Sequence, residues 1–236
     1  MNRFFLLSPL VLQKAIWHAT RAILLFFFRF EVRGLENLKS QMHQMSKLQT
    51  SGARKEKGVI FAANHSSELD PILVPAALPF FSTLLPIFYV SRPRAFYKTS
   101  GWRQFFYGGL LFKLWGAHSV CTAVGGADYA QSLATHIQIL KMGGSILIFP
   151  EGRKTRDGNI QHEAHGGVAY FAHATGIPVV PVRIFGDFNM SLADFFLRRR
   201  RISVVFGAPI SLAENALADD KQDAQMILAK IAAIHR

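Results

Sequence analysis

Cysteine is nearly missing: Cys121 is the only one in 236 residues, which excludes a disulfide-stapled secreted domain. Charge is scarce as well, at 18% of residues against the ~25% of an ordinary soluble domain. Acidic residues are the scarcest, with 15 Asp and Glu facing 27 Lys and Arg, so the chain carries +12. The sequence has no internal repeat and no low-complexity tract. It has no His-Glu-x-x-His or paired-cysteine spacing that would call for a metal. It has no Gly-x-Ser-x-Gly elbow to raise a nucleophilic serine. Apolar residues make up 50%, too much burial-ready surface for a disordered chain. The length suits one domain with a sizeable core.

Two kinds of surface attract a basic protein, nucleic acid and anionic membrane. Residues 1–58 hold 10 Lys and Arg against Glu31, Glu36 and Glu56, whereas the rest hold 17 against 12 acids. The excess is densest where Phe and Leu are also densest, which favours a membrane surface over nucleic acid. The first thirty residues show no small-residue cleavage site, and Arg3, Lys14, Arg21 and Arg29 interrupt every window of about 17–25 residues that a spanning helix needs. Lys14, His18 and Arg21 recur at helical spacing opposite Leu12, Ile16, Ala19, Ile23 and Phe26, and Trp17 adds an interfacial anchor. The pattern predicts an amphipathic helix over residues 1–30 that lies in the membrane interface, ahead of a domain over 31–236. The alternative is a helix packed on the protein's own core. Residues 71–90 carry no charge, but Pro71, Pro75, Pro79 and Pro86 break them. They predict a short helix and then a strand rather than a span. Residues 39–57 read as an exposed basic loop, either touching anionic lipid or simply solvated.

Beyond Gly58, short apolar runs alternate with helical stretches. Strands are predicted over 59–63, 85–90, around 120, and over 145–149, 177–184 and 202–206. Helices are predicted over 71–78, 102–115, 127–142, 166–175 and 222–234. Such alternation indicates a single α/β domain with a mostly parallel central sheet flanked by helices. In such sheets the functional loops gather at the carboxyl ends of the strands. Two chemically loaded loops fall there.

The first loop is Asn64-His65-Ser66-Ser67-Glu68-Leu69-Asp70. Histidine suits general-base work near neutral pH, and a carboxylate can fix its tautomer and steady the imidazolium. On a continuous helix five residues separate His65 from Asp70 by about 140°. Pro71 prefers the first turn of a helix, which makes Asp70 a natural cap and lets the preceding loop fold back onto it. An exposed histidine before a capped helix is the plainer alternative. The second loop follows the apolar run 145–149 and reads Pro150-Glu151-Gly152-Arg153-Lys154-Thr155-Arg156-Asp157-Gly158. Gly152 permits close backbone approach, and the cations beside Thr155 suit a phosphate. Glu151 needs a partner, either one of these arginines or a substrate hydroxyl. A charged turn is the plain alternative. Cys121 sits in an apolar context and reads as a buried thiol rather than a nucleophile.

Together these loops resemble the glycerolipid acyltransferases of the lysophosphatidate (1-acylglycerol-3-phosphate) type. Asn64, His65 and Asp70 match the family's Asn-His-x4-Asp signature. Residues 149–153 match its Phe-Pro-Glu-Gly signature, and residues 177–182 match its Val-Pro-Val strand. Residues 31–38, EVRGLENL, are similar to its lead-in. The chain departs from the family at Thr122, which stands where an Arg contacts substrate phosphate, and at His165, which stands where a Lys is usual.

The resemblance implies an O-acyltransferase. His65, oriented by Asp70, would take the proton of a lysophospholipid hydroxyl, which attacks the thioester of acyl-CoA or acyl-carrier protein. Asn64, Glu151, Gly152, Arg153, Arg156 and Arg183 are the expected substrate-binding residues. No cofactor and no metal is expected. The expected partners are the membrane surface, the lysophospholipid and the acyl donor, with no nucleic acid, at the cytoplasmic face of the inner membrane. Arg198-Arg199-Arg200-Arg201 reads as a headgroup-facing ridge, a carrier-protein dock or a solvated run. The competing reading is a non-catalytic lipid-binding protein that keeps the same fold.

Overall fold

The computed structural model describes residues 3–39, 58–92, 110–120, 126–212 and 219–236. The short apolar runs become strands β1 (Arg29–Arg33), β2 (Ile60–Ala63), β3 (Ile87–Ser91), β4 (Ala117–Ser119), β5 (Ser145–Ile148), β6 (Val179–Phe185) and β7 (Arg201–Phe206). Between them run helices α1 (Arg3–Phe27), α2 (Asp70–Ala77), α3 (Leu110–Trp115), α4 (Gly126–Lys141), α5 (Gly167–Thr175), α6 (Leu192–Phe196) and α7 (Asp220–Ala232). Most of the basic loop, the first part of the aromatic helix expected over 102–115, and Cys121 and Thr122 lie outside the described residues.

The strands form one sheet in the order β1-β7-β6-β2-β5-β3-β4. Every neighbouring pair is parallel except β6 with β7. This is the mostly parallel α/β fold expected from the alternation of strands and helices. β2 and β5 are buried at every position, as inner strands covered on both faces must be. Successive side chains take opposite faces. Phe61 and Ala63 join a core with Leu24 of α1, with Phe28 just beyond it, and with Leu73 and Val74 of α2. Ile60 and Ala62 join a second core with Leu133 of α4, Phe171 of α5 and Ile227 of α7.

The chain enters the sheet earlier than the expected boundary at residue 31. α1 stops at Phe27, and Phe28 and Phe30 are both buried, which commits 29–33 to the strand beside β7. Gln13 is buried and spans the backbone of β3, donating to the Ile87 carbonyl at 2.7 Å and accepting from its N–H at 2.9 Å. The Trp17 indole donates to the Leu78 carbonyl at 3.0 Å, and Arg21 donates to that of Ala76 at 2.8 Å. Carbonyls at the end of α2 have no helical partner, and these long polar side chains satisfy them. Lys14 lies 5.2 Å from the Phe80 ring, and His18 packs on the same ring. The polar row Lys14, His18 and Arg21 is therefore the docking row. Leu7, Val11, Ile23, Leu25 and Phe26 are left exposed.

Candidate active site

Register brings the two loaded loops together. In the parallel β2–β5 pair Ile60 aligns with Ile146 and Ala62 with Ile148, a spacing of 86 residues that also separates His65 from Glu151. The His65 N–H donates to Glu151 Oε1 at 2.7 Å, and the His65 carbonyl accepts from the Thr155 N–H at 2.8 Å. Lys154 closes the same contact with an ion pair to Glu68. The loop after β5 thus grips the histidine backbone from both sides, while the Phe149 ring stacks on the imidazole at 4.1 Å and 15°.

The imidazole is held by Asp70. His65 Nδ1 lies 2.7 Å from Asp70 Oδ2, and the same oxygen accepts from the N–H groups of Ser66 at 2.8 Å and Ser67 at 3.0 Å. Asp70 was expected to cap α2, but it is the helix's first residue and turns its carboxylate back onto the loop. The Asp70 side chain is fully buried, whereas the His65 side chain keeps 19% exposure. Nε2 is therefore the nitrogen left for a substrate. Burial, and secondly the Lys154 charge, lowers the His65 pKa to about 4, so the ring is neutral at pH 7. Burial pushes the Asp70 carboxyl up, against the pull of its hydrogen bonds to Asp187, Ser67 and Ser66.

The remaining expected site residues divide into two groups. Asn64 and Glu151 are buried, and their polar atoms are used internally. Asn64 Nδ2 donates to the Ile184 carbonyl at 3.1 Å, and its Oδ1 accepts from the Ile184 N–H at 2.7 Å, which ties β2 to β6. Glu151 Oε2 accepts from the Gln161 N–H at 2.9 Å. Backbone N–H groups take both Glu151 oxygens, so Glu151 and Asn64 brace the loops from beneath. Gly152 sits at φ +65°, which favours glycine, and a Cβ there would come within 2.5 Å of the His165 ring and displace it. Arg153 and Arg156 are exposed beside it, and Arg153 Nε donates to Gln161 at 2.7 Å. Arg183 is half-buried on β6 over the Phe185 ring at 5.2 Å, with Glu151 as its opposing charge. Sequence reasoning missed Arg92, which follows β3 and donates to the Gly152 carbonyl at 2.8 Å. It also missed Asp187, whose Oδ1 accepts from the Ser66 hydroxyl at 2.8 Å. Neither belongs to a motif, and only the closed sheet shows their proximity.

A neutral, carboxylate-held imidazole beside cations at the carboxyl edge of a parallel sheet is a layout suited to general-base chemistry on a phosphorylated substrate. The comparisons with known proteins carry this one step further. A family model described as Acyltransferase matches residues 29–185, and the chain belongs to that family. It is 25% identical over 165 residues to the 1-acyl-sn-glycerol-3-phosphate acyltransferase BAT2 of Brassica napus, covering 68% of this chain and 38% of that one. It is 24% identical over 187 residues to the chloroplastic 1-acyl-sn-glycerol-3-phosphate acyltransferase LPAT1 of Arabidopsis thaliana, covering 78% of this chain and 44% of that one. The chain therefore spans less than half the length of these two relatives. Its fold is shared with the 1-acyl-sn-glycerophosphate acyltransferase PlsC of Thermotoga maritima, at 17% identity and a TM-score of 0.58 over 94% of this chain and 76% of that one.

Proposed function

We propose that the protein transfers a fatty acyl group from a thioester donor, acyl-CoA or acyl-carrier protein, to the free hydroxyl of a lysophospholipid of the 1-acylglycerol-3-phosphate kind. The single observation that carries this reading is the neutral His65 ring, held by Asp70 at 2.7 Å beneath an exposed basic loop. His65 Nε2 takes the hydroxyl proton as the oxygen attacks the thioester carbon, and Asp70 steadies the imidazolium that forms. The thiolate leaves and takes up that proton. No covalent enzyme intermediate and no cofactor enters the step. Arg153 and Arg156 meet the acceptor phosphate with Arg183 behind them, while Gly152, braced by Glu151 and Asn64, lets the backbone approach.

The same reading puts the protein on a membrane surface. α1 includes a stretch, Leu7–Phe27, long and apolar enough to cross a bilayer. Its bonds to the domain along Gln13, Trp17 and Arg21 leave the apolar face outward, which supports a helix resting on the membrane interface. Purified protein incubated with radiolabelled acyl-CoA or acyl-carrier protein and a panel of lysophospholipids tests the activity. A new diacyl product with wild type and none with His65→Ala is expected. No product from either protein rejects the reading in favour of a lipid-binding protein, and equal product from both rejects His65 as the base.

A further inference from the structure

The floor of the site holds one more carboxyl than the reaction uses. After β6 the chain turns at Gly186, where φ is +88° and a Cβ would come within 2.1 Å of the Arg201 carbonyl. The next residue, Asp187, is buried. Its Oδ1 accepts the Ser66 hydroxyl at 2.8 Å. The other oxygen, Asp187 Oδ2, is buried and meets no donor, and Asp70 Oδ1 is in the same position. Ser66 joins the two carboxyls, its N–H donating to Asp70 at 2.8 Å and its hydroxyl to Asp187 at 2.8 Å, and each carboxyl bears on the titration of the other. Two ionised carboxylates cannot share a dry contact, because the repulsion in a low-dielectric interior is too large. One proton between the two orphaned oxygens satisfies both.

The donors decide which group keeps the charge. Asp70 Oδ2 receives the His65 ring and two backbone N–H groups, whereas Asp187 receives one hydroxyl. Three donors favour the anion far more than one does. We infer that Asp187 is a positioning residue, a protonated carboxylic acid that donates its O–H to Asp70 and holds that carboxylate in line with the His65 ring. The inference rests on the acyltransferase reading above for its catalytic consequence, but not for the proton itself. Burial, together with the contact to Asp70, pushes the Asp187 carboxyl up to about 8, which agrees with the geometry. Of the charged groups around the pair, Glu151 from the loop after β5 acts on both Asp70 and His65, while Glu68 and Lys154 act on the His65 ring. Arg183 on β6 couples to Glu151.

Asp187→Asn and Asp187→Ala test this together. The asparagine keeps an oxygen for Ser66 and supplies an N–H to Asp70 Oδ1, whereas alanine orphans that oxygen. With lysophosphatidate and acyl-CoA, the asparagine variant is expected to lose only a few-fold in kcat. The alanine variant is expected to lose about ten- to hundred-fold, with KM little changed. Wild-type kcat should fall as the pH passes about 8, and the asparagine variant should lack that limb. Equal kcat in the two variants, or an alkaline limb that survives in Asp187→Asn, overturns the inference. Infrared difference spectra of the full chain at pH 7 supply a readout that needs no turnover. Wild type should show the carbonyl band of a protonated acid that Asp187→Asn lacks, and its absence from wild type overturns the inference even if Asp187→Ala fails to fold. If wild type shows the band yet acylates no acceptor, the acyltransferase reading fails and the shared proton stands.

Discussion

An imidazole serves as a general base only while it is unprotonated, and the burial around His65 secures that form over a wide range of pH. Its pKa lies at about 4, below the ordinary 6.5, so the acid limb of kcat/KM should fall near pH 4 and the rate should be level from pH 7 to 5. Initial rates across that range decide the point, and a half-loss near pH 6.5 would show an imidazole no more buried than one in solution. The same shift has a signed effect on stability. A histidine with a depressed folded pKa leaves the unfolded chain the better proton acceptor, so its contribution is intact above about pH 6.5 and is lost as pH falls towards 4. His65→Ala removes both effects. It should cut transfer by roughly 10²–10⁴-fold and flatten the melting temperature over that acid window, as thermal denaturation at stepped pH would reveal. The His65–Asp70 pair could be read from the sequence, because Asn-His-x4-Asp before a proline is a local pattern. Asp187 could not, since a lone Asp after Gly looks like any turn until β6 is laid beside β2.

At the scale of elements, sequence periodicity located most strands, because 145–149 and 177–184 are apolar runs that only a buried strand explains. It missed β1, whose Arg-Phe-Glu-Val-Arg carries charges at an edge strand next to a Phe-rich helix. It also missed what Glu151 does, because the β2–β5 register that sets it under the His65 N–H depends on residues 86 apart. That contact makes the loop after β5 part of the base's mounting. Glu151→Ala leaves the N–H groups of His65 and Gln161 without their acceptor. It should therefore destabilise the protein by roughly 2–6 kcal/mol, at ~1–3 kcal/mol for each part-buried orphan. Urea unfolding measures the loss. kcat should fall in parallel, because the imidazole loses its fixed backbone, and a destabilised variant with wild-type kcat would show that the grip is structural only. α1 was legible as amphipathic but the docking contacts of its polar side were not, since the sequence does not reveal which carbonyls at the end of α2 lack partners. Gln13, Trp17 and Arg21 answer that need, and the apolar side is turned out as a consequence.

For the whole molecule, the excess of cations and the excess of grease meet at one edge. The outward face of α1 ends at Leu25 and Phe26, and Phe27 packs edge-on against Phe196 at 6.0 Å. Phe196 and Leu197 are exposed beside them, at 66% and 58%. The arginine run begins at the next residue. Arg198 donates to the Leu25 carbonyl at 3.2 Å, Arg200 pairs with Asp194, and Arg201 pairs with Glu31. Arg199 is exposed with no acidic partner among the described residues, so the ridge offers less free charge than four arginines suggest. A surface of this kind should bind membrane through two separable terms. The apolar term scales with buried area and hardly responds to salt, whereas the cationic term needs anionic lipid and is screened over about 10 Å at 0.1 M salt. Replacing Val11, Leu25 and Phe26 together with serine should lower partitioning onto both zwitterionic and anionic vesicles at every salt concentration. The melting temperature should barely move, since all three side chains already face outward. Arg199→Gln should weaken binding only to anionic vesicles, by about 1 kcal/mol at low salt, and lose its effect as salt rises. Vesicle co-sedimentation across a salt series separates the two terms. If the serine variant binds as wild type does, the outward face of α1 is covered by something other than lipid.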